Sequence, residues 1–555
     1  MAKQSGYRLG ADVGGTFTDV YAFTPDNQVA RAKVPTTVED QSIGIKNGIR
    51  KVQQALKDRF TWDGKFQFIH HGTTVATNAV LEGKGARTGL IVTAGHKDIL
   101  AVRRSQIPGG LGAWLHYTPP DPIVPLERVI QCQERMSVDG KSVVGVEVDA
   151  LRDDLKKWTG DEKPEAVAIS LLNSHCNNEH EVLVAGIVKE VLGDGVTIIS
   201  SSDVLREVGE YERTLTTCTN ALVKPVVQTY LNNLQYLLAE DGNTIRILKS
   251  DGGLTSLGLA GELPVNILMS GPAGGVQGVA DVVTQNTPYK NLITFDMGGT
   301  STDVAIIHQG KPQLRRETVV GSLTVRSPAV DIRTVGAGGG SIAKYMSITE
   351  TMRVGPESAG ATPGPACYNK GGKEPTVSDA NLALGYLPEN LLGGEFKLDT
   401  ESAMTAVGEI AKQMKLSITQ AAEDIVNLVN ETMYGALRLV SVEQGYDPKE
   451  FALVAFGGAG PLHANAVGKL LGAWPVIVPP SPGTLCALGD ATTRLSHSQS
   501  LSFIRLLSAT TSKQVKERFD ELEAICKDTM TTQMGAVSCH STSATISTFA
   551  TAVKH

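Results

Sequence analysis

Asp12–Val20 reads DVGGTFTDV, and Asp296–Val304 reads DMGGTSTDV. Seven of the nine positions coincide, at an offset of 284 residues. Each copy follows a short apolar run, YRLGA before the first and NLITF before the second. Each leads into a second β-rich stretch, VYAF or VAII. Both therefore read as strand, tight glycine turn, strand. Two such turns at this separation predict two related lobes. Recurrence of both Asp, both Gly and the Thr argues against chance likeness in glycine-rich sequence.

Outward from the turns, strand and helix signals alternate. A rough amphipathic stripe predicts a helix over 38–58, and strands are expected at 66–70 and 89–93. Further strands are expected at 165–172, 196–200, 244–248, 451–456 and 476–478, and helices at 179–192, 210–237, 401–415, 419–444 and 515–530. This alternation predicts an α/β fold. The expected division is a first lobe over 1–200 with an inserted region at about 105–161. A helical connection with the SGPAGG loop over 201–290 completes that lobe. A second lobe follows over 291–495, with an insertion at about 316–394, and then an incomplete C-terminal region over 496–555. Residues 531–555, rich in Ser, Thr and Ala, carry no sustained period.

Composition narrows the function class. Of 555 residues, 41% are hydrophobic and 20% charged, and the formal net charge is -7. That suits a packed globular protein and supplies no basic excess for nucleic acid or an anionic membrane. Seven cysteines without a close CxxC pair match neither a disulfide scaffold nor a structural zinc site. No apolar signal core precedes the first glycine motif, and no run of 18 apolar residues occurs, so a cytoplasmic protein is expected.

The turns carry the chemistry. Gly14, Gly15, Gly298 and Gly299 let backbone N–H groups converge on phosphate oxygens, and Thr16 and Thr300 add hydroxyls. Asp12, Asp19, Asp296 and Asp303 would repel phosphate, so a Mg²⁺ ion or ordered water must mediate. Asp12, Asp296 and Asp303 are the expected metal or water-positioning group. Two facing cradles would hold one nucleotide between lobes. No GxxxxGK[ST] loop is present. Phe456–Ala464, FGGAGPLHA, offers Gly457, Gly458 and Gly460 to adenine or ribose. Ser270–Gly275, SGPAGG, is read as a turn before a helix starting near Gln277, with Gly271, Gly274 and Gly275 available to phosphate.

At this point the chain resembles the ATP-binding component of the hydantoinase/oxoprolinase family, also related to a subunit of acetone-type carboxylases. The resemblance rests on LGADVGGTFTDV, HHGTTVATNAVLEGKGARTGLIVTAG, REVGEYERTLTTCTNA, SGPAGGVQGVA, TFDMGGTSTDV, VGAGGGSIA, GPESAGATPGPACY, PTVSDANLALGYL and VEQGYDPKEFALVAFGGAGPLHA, spread from residue 7 to about 490. It implies the duplicated fold of actin, sugar kinases and Hsp70-type ATPases. It also implies Mg-ATP as cofactor and attack on a cyclic amide such as 5-oxoproline or a hydantoin, a step of glutathione metabolism in the first case. By the same resemblance a separate hydrolytic subunit completes the reaction, the C-terminus is atypical and truncated, and Asp251 stands where Asn is more usual. Self-association stays open.

Substrate-side candidates are His71, beside His70, and the pair Arg103 and Arg104, which could clamp a carboxylate. Packing or capping competes for the histidines, and a solvent salt bridge for the arginines. Glu212–Arg213 and Asp331–Arg333 read mainly as architecture. Asp379 is either a helix cap or a cleft residue, and Cys367 lacks a defined base. Other functional readings are a component of an ATP-dependent ketone carboxylase, a sugar or polyol kinase, and a non-catalytic truncated member of the family.

Overall fold

A computed structural model describes residues 6–37, 41–60, 62, 64–105, 117–160, 163–238, 243–391, 394 and 396–535. The chain enters on β1 (Arg8–Val13), turns into β2 (Phe17–Phe23) and continues as β3 (Val29–Pro35). Helix α1 (Gln41–Arg59) crosses back over these strands, burying Ile45, Ile49, Val52 and Leu56 on one face. β4 (Phe68–Gly72) and α2 (Val75–Leu81) follow, then β5 (Thr88–Thr93), β6 (Val129–Cys132) and β7 (Ala166–Ser170). After α3 (Glu179–Leu192) and β8 (Thr197–Ser200), the long α4 (Glu210–Leu238) runs through Pro225. β9 (Thr244–Leu248), β10 (Leu254–Ser256) and α5 (Ser270–Asn286) lead to the second turn.

That turn joins β11 (Leu292–Met297) to β12 (Thr302–His308), with β13 (Lys311–Pro312) and β14 (Ile332–Val335) beyond it. Helices α6 (Val377–Ala383), α7 (Thr400–Met414) and α8 (Ile418–Val440) precede β15 (Ala452–Phe456). Reciprocal capping boxes fix the starts of α6, at Thr376 and Asp379, and of α8, at Ser417 and Gln420. The chain then forms α9 (Gly460–Leu471), β16 (Val476–Ile477), α10 (Leu485–Thr492) and α11 (Ser512–Thr532).

Two six-stranded sheets dominate. The first runs β10-β9-β4-β1-β2-β3, and the second runs β13-β12-β11-β15-β16 with β14 pairing β12. A four-stranded sheet, β8-β7-β5-β6, stands beside them. Its β6 comes from the stretch read as an insertion at 105–161, of which 106–116 lie outside the described residues. The two large sheets share a local plan. β1 pairs antiparallel with β2 and parallel with β4, and β11 pairs antiparallel with β12 and parallel with β15. Asp12 faces Asp19 across the first hairpin, and Asp296 faces Asp303 across the second.

One hydrophobic cluster joins the sheets. It draws Tyr21 and Leu248 from the first, Leu292, Val454 and Phe456 from the second, and Ala273, Val276, Leu485 and Leu488 from α5 and α10. The two helices therefore lie where the halves meet. Burying aliphatic side chains of this size contributes roughly 1.5–3 kcal/mol each. Gly10 makes the approach of α10 possible, because a Cβ there would stand 1.9 Å from the Ala487 carbonyl oxygen.

Two local expectations are corrected. Ser270–Gly275 is not a turn but the opening of α5. Pro272 is tolerated in a first helical turn, and the glycines serve close packing: a Cβ on Gly275 would meet the Phe456 ring at 2.7 Å. Residues 485–492, where no helix was expected, form α10. Of the tail, α11 extends to Thr532, and 536–555 lie outside the described residues.

Candidate functional site

The same backbone device builds both turns. Gly14 N–H donates to the Phe17 carbonyl at 3.0 Å, and Gly298 N–H donates to the Ser301 carbonyl at 3.0 Å. The turns face each other: a Cβ built on Gly299 would lie 3.1 Å from Thr16 Oγ1. Asp12, Asp19, Asp296 and Asp303 each keep a solvent-facing edge while protein surrounds the rest. Gly15 and Gly458 border open space, and Thr300 is exposed. Gly457 instead turns with φ of 82°, and a Cβ there would sit 2.2 Å from Asp296 Oδ1. Gly460 N-caps nothing but opens α9 against Met297, whose carbonyl accepts from Ala459 N–H at 3.0 Å. Gly271 packs beside Asp12, and Gly274 beside Asp490.

Electrostatically the site is acidic. Burial and then the neighbouring Asp19 and Asp296 push the Asp12 carboxyl well above its usual range. Burial pushes Asp296 up to about 7, reinforced by Asp303, and pushes Asp303 up to about 6. Burial also raises Asp19, against the lowering effect of Lys33. Lys33 Nζ donates to both Asp19 carboxylate oxygens at 2.7 Å and to the Gly483 carbonyl at 3.0 Å. Asp303 Oδ1 accepts from the Thr334 hydroxyl at 2.5 Å.

Three further residues belong to this site that the sequence reading passed over. Lys33 lies opposite Asp19 across β2 and β3, a relation visible only in the register. Cys486 Sγ–H donates to Asp296 Oδ2 at 3.2 Å. Asp490 is 1% exposed and accepts the Gly72 N–H on Oδ2 at 3.2 Å. Burial, then Asp12, push its carboxyl well above the usual range. Cys486 and Asp490 are one helical turn apart on α10.

The substrate-side candidates lie elsewhere. His71 is fully buried. Its Nδ1 bonds the Ala11 carbonyl at 2.8 Å and its Nε2 the Tyr230 hydroxyl at 2.7 Å, so it ties β4 to α4 and β1. Burial lowers its pKa to about 4, which keeps it neutral at pH 7. Arg103 donates to the Pro120 carbonyl at 2.6 Å. Arg104 spans Glu212 at 2.5 Å and Glu317 at 3.1 Å, which occupies the donors a substrate carboxylate would need. Arg213 is buried against His175 and the Leu171 carbonyl, and Asp331 pairs with Arg315 and Gln444. Asp379 accepts from Thr376 and from Ala366 and Cys367 N–H groups, so it caps α6 and holds Cys367. Asp251 is held by Lys249 and Gly253 N–H.

Could these residues hold a metal? Among the described residues, no group of three or more His, Cys, Asp or Glu side chains encloses a metal site, so Asp12, Asp296 and Asp303 form no protein cage. Mg²⁺ commonly takes only one or two carboxylates, completing its shell with phosphate oxygens and water. The facing carboxylates outnumber the single ammonium of Lys33, so a phosphate-borne cation fits them. No helix among the described residues is long and apolar enough to cross a membrane.

The hydantoinase/oxoprolinase family pattern matches residues 213–499, and the pattern of its N-terminal region matches residues 8–192. Caprolactamase subunit alpha of Pseudomonas jessenii is 36% identical over 504 residues, covering 90% of this chain and 72% of that protein. The crystal structure of the ATP-dependent caprolactamase from Pseudomonas jessenii superposes with a TM-score of 0.80 at 34% identity, covering 95% of this chain and 77% of that one. The nucleotide-free structure of an acetone carboxylase superposes with a TM-score of 0.82 at 28% identity, with the same coverage.

Proposed function

This chain belongs to the hydantoinase/oxoprolinase family, and from that premise we propose that it is the ATP-binding, substrate-activating component of an ATP-dependent cyclic amidase. The observation that carries the reading is the pair of Asp-x-Gly-Gly-Thr turns that face each other, Gly299 against Thr16. We extend it to a duplicated actin-like fold, in which β1-β2-β4 and β11-β12-β15 are the corresponding cores. A subunit name among the relatives supports a separate partner chain for the hydrolytic half.

Bound Mg-ATP would supply an activated phosphoryl group, which turns an amide carbonyl oxygen into a better leaving group. The chain's own residues do the positioning. Gly15 and Gly299 present backbone N–H groups toward phosphate, Gly14 and Gly298 spend theirs closing the turns on the Phe17 and Ser301 carbonyls, and Thr16 and Thr300 add hydroxyls. Asp12 and Asp296 face the cation, Asp303 steadies the second turn through Thr334, and Asp19 is neutralised by Lys33. Gly458 leaves room on the adenosine side. Caprolactam is itself a cyclic amide, so the caprolactamase likeness favours lactam, hydantoin or 5-oxoproline rings. The acetone carboxylase likeness supports a second reading, activation of bicarbonate or a ketone by the same site.

The test is calorimetry with Mg-ATP, followed by ATP cleavage against caprolactam, a hydantoin and 5-oxoproline with the partner chain present. Ring-opened product in step with ADP is expected. Bicarbonate-dependent carboxylation instead would move the assignment to the second reading. Asp12→Asn is expected to lower turnover by about 10²–10³, the usual scale for removing one electrostatic contact at the reacting group. Unchanged turnover in the folded variant would overturn the role of Asp12.

A further inference from the structure

We infer that Asp490 is a positioning residue for the phosphate end of the cleft, setting Asp12 against the cation that accompanies a bound nucleotide; this rests on the ATP-binding reading above. Two elements are shaped around its side chain. The end of β4 gives it the Gly72 N–H at 3.2 Å, and a Cβ on Gly72 would stand 3.3 Å from Asp490 Oδ2 and 3.5 Å from Asp12 Oδ1. Helix α5 leaves it space, since a Cβ on Gly274 would lie 2.4 Å from Asp490 Oδ1. His70 Nδ1–H donates to the Asp490 carbonyl at 2.8 Å, fixing the turn of α10 that carries it. Register adds the last link, because Gly72 is the parallel partner of Asp12.

The arrangement is costly unless it does something. Asp490 is 1% exposed, yet its Oδ1 has no hydrogen-bond partner among the described residues. A buried carboxyl oxygen without a partner destabilises a fold, and such an atom calls for a structural or functional reason. The same helix face reaches the other half of the cleft through Cys486, whose thiol donates to Asp296 Oδ2. Ahead of α10, the Pro482 carbonyl accepts the Gly457 N–H at 3.0 Å, and the Gly483 carbonyl accepts from Lys33. One short segment thus touches the surroundings of both turns, with Asp490 as its contact to the first. Asp490 places a buried carboxyl behind Asp12 without itself lining the open cleft, and it clamps the backbone that flanks Asp12.

The experiment uses the full chain and its Asp490→Asn variant. Calorimetry measures affinity for ATP with Mg²⁺ and with EDTA, and thermal unfolding measures stability. Asparagine keeps an acceptor for the Gly72 N–H and removes the ionisable oxygen. The expected result is a split. Affinity in EDTA stays within about twofold, and the gain conferred by Mg²⁺ falls about tenfold. Thermal stability stays close to that of the wild-type chain, because the Gly72 contact is kept. Asp490→Ala, which leaves space for water, should show the same split should the asparagine variant fail to fold. A variant that retains the full Mg²⁺ gain overturns the inference, as does one that weakens ATP equally with and without Mg²⁺. A wild-type chain that binds no ATP in either condition instead breaks the proposed function.

Discussion

The two glycine turns have the same motif and the same backbone register, but they are balanced by different chemistry. In the first, Asp19 is held by an ammonium, Lys33, and Asp12 stands beside a buried carboxylate, Asp490. In the second, Asp303 is held by a hydroxyl, Thr334, and Asp296 by a thiol, Cys486. The first turn is thus ionic and the second is nearly neutral in its supports. The repeat dictates where the peptide groups lie. The strands and helix packed against each copy decide what charge it can carry.

Changes that strip each turn of its support should separate the halves most. Lys33→Met leaves Asp19 uncompensated and is expected to cost about 3–5 kcal/mol, the scale for breaking a largely buried ion pair. Thr334→Val removes one hydrogen bond to a carboxylate and is expected to cost about 1.5–3 kcal/mol. Urea unfolding of both variants checks this, and equal losses would break the comparison.

The glycines packed beside the two aspartates differ next. Gly457→Ala adds a side chain at φ 82° and places it against Asp296, so a loss of about 3 kcal/mol is expected. Gly72→Ala meets only contacts of 3.3 Å and longer, so about 1 kcal/mol is expected. Thermal melts of the two variants give the ranking.

A pH series sharpens the contrast. Asp296 sits at about 7 in the fold against an ordinary value of 3.8. It therefore binds its proton more tightly when folded, so its contribution to stability is complete below about pH 4. That contribution is lost as pH rises through 7. Asp296→Asn should leave stability little changed at pH 4 and raise it by about 1–3 kcal/mol at pH 8. A variant whose gain is the same at both pH values would contradict the assignment. The smallest effect is expected far from either turn: Arg104→Gln, in a pair whose arginine side chain is 44% exposed, should cost about 0.5 kcal/mol and leave ATP affinity unchanged.

Much of the frame was legible in the residues. The nine-residue repeat predicted both hairpins, and period and composition placed α3 at 179–192 and β9 at 244–248. What stayed hidden has a common physical cause. α10 is eight residues long, follows a Pro-Ser-Pro-Gly run and contains Gly489, so local signals read as a loop. Its helical state is stabilised by burial between the sheets, which no window of sequence reports. α5 opens with glycines that serve packing against α10 and Phe456, and those residues punctuate turns elsewhere. Lys33 and Asp490 acquire their place only through register and through contacts hundreds of residues distant. For Arg104 and His71 the sequence left a salt bridge or packing beside a substrate role, and the fold engages their polar atoms with Glu212, Glu317, Ala11 and Tyr230.

The seating of α10 on Gly10 also sets a timetable. The first strand leaves the ribosome some 480 residues ahead of the helix that covers it. At about 5–20 residues per second, that interval is roughly 25–100 seconds. Throughout it, the first sheet must persist with an open apolar face and an unfinished acidic pocket. Nascent chains arrested before residue 485 should therefore engage chaperones strongly, and release should come abruptly once α10 is out, rather than in step with growing length.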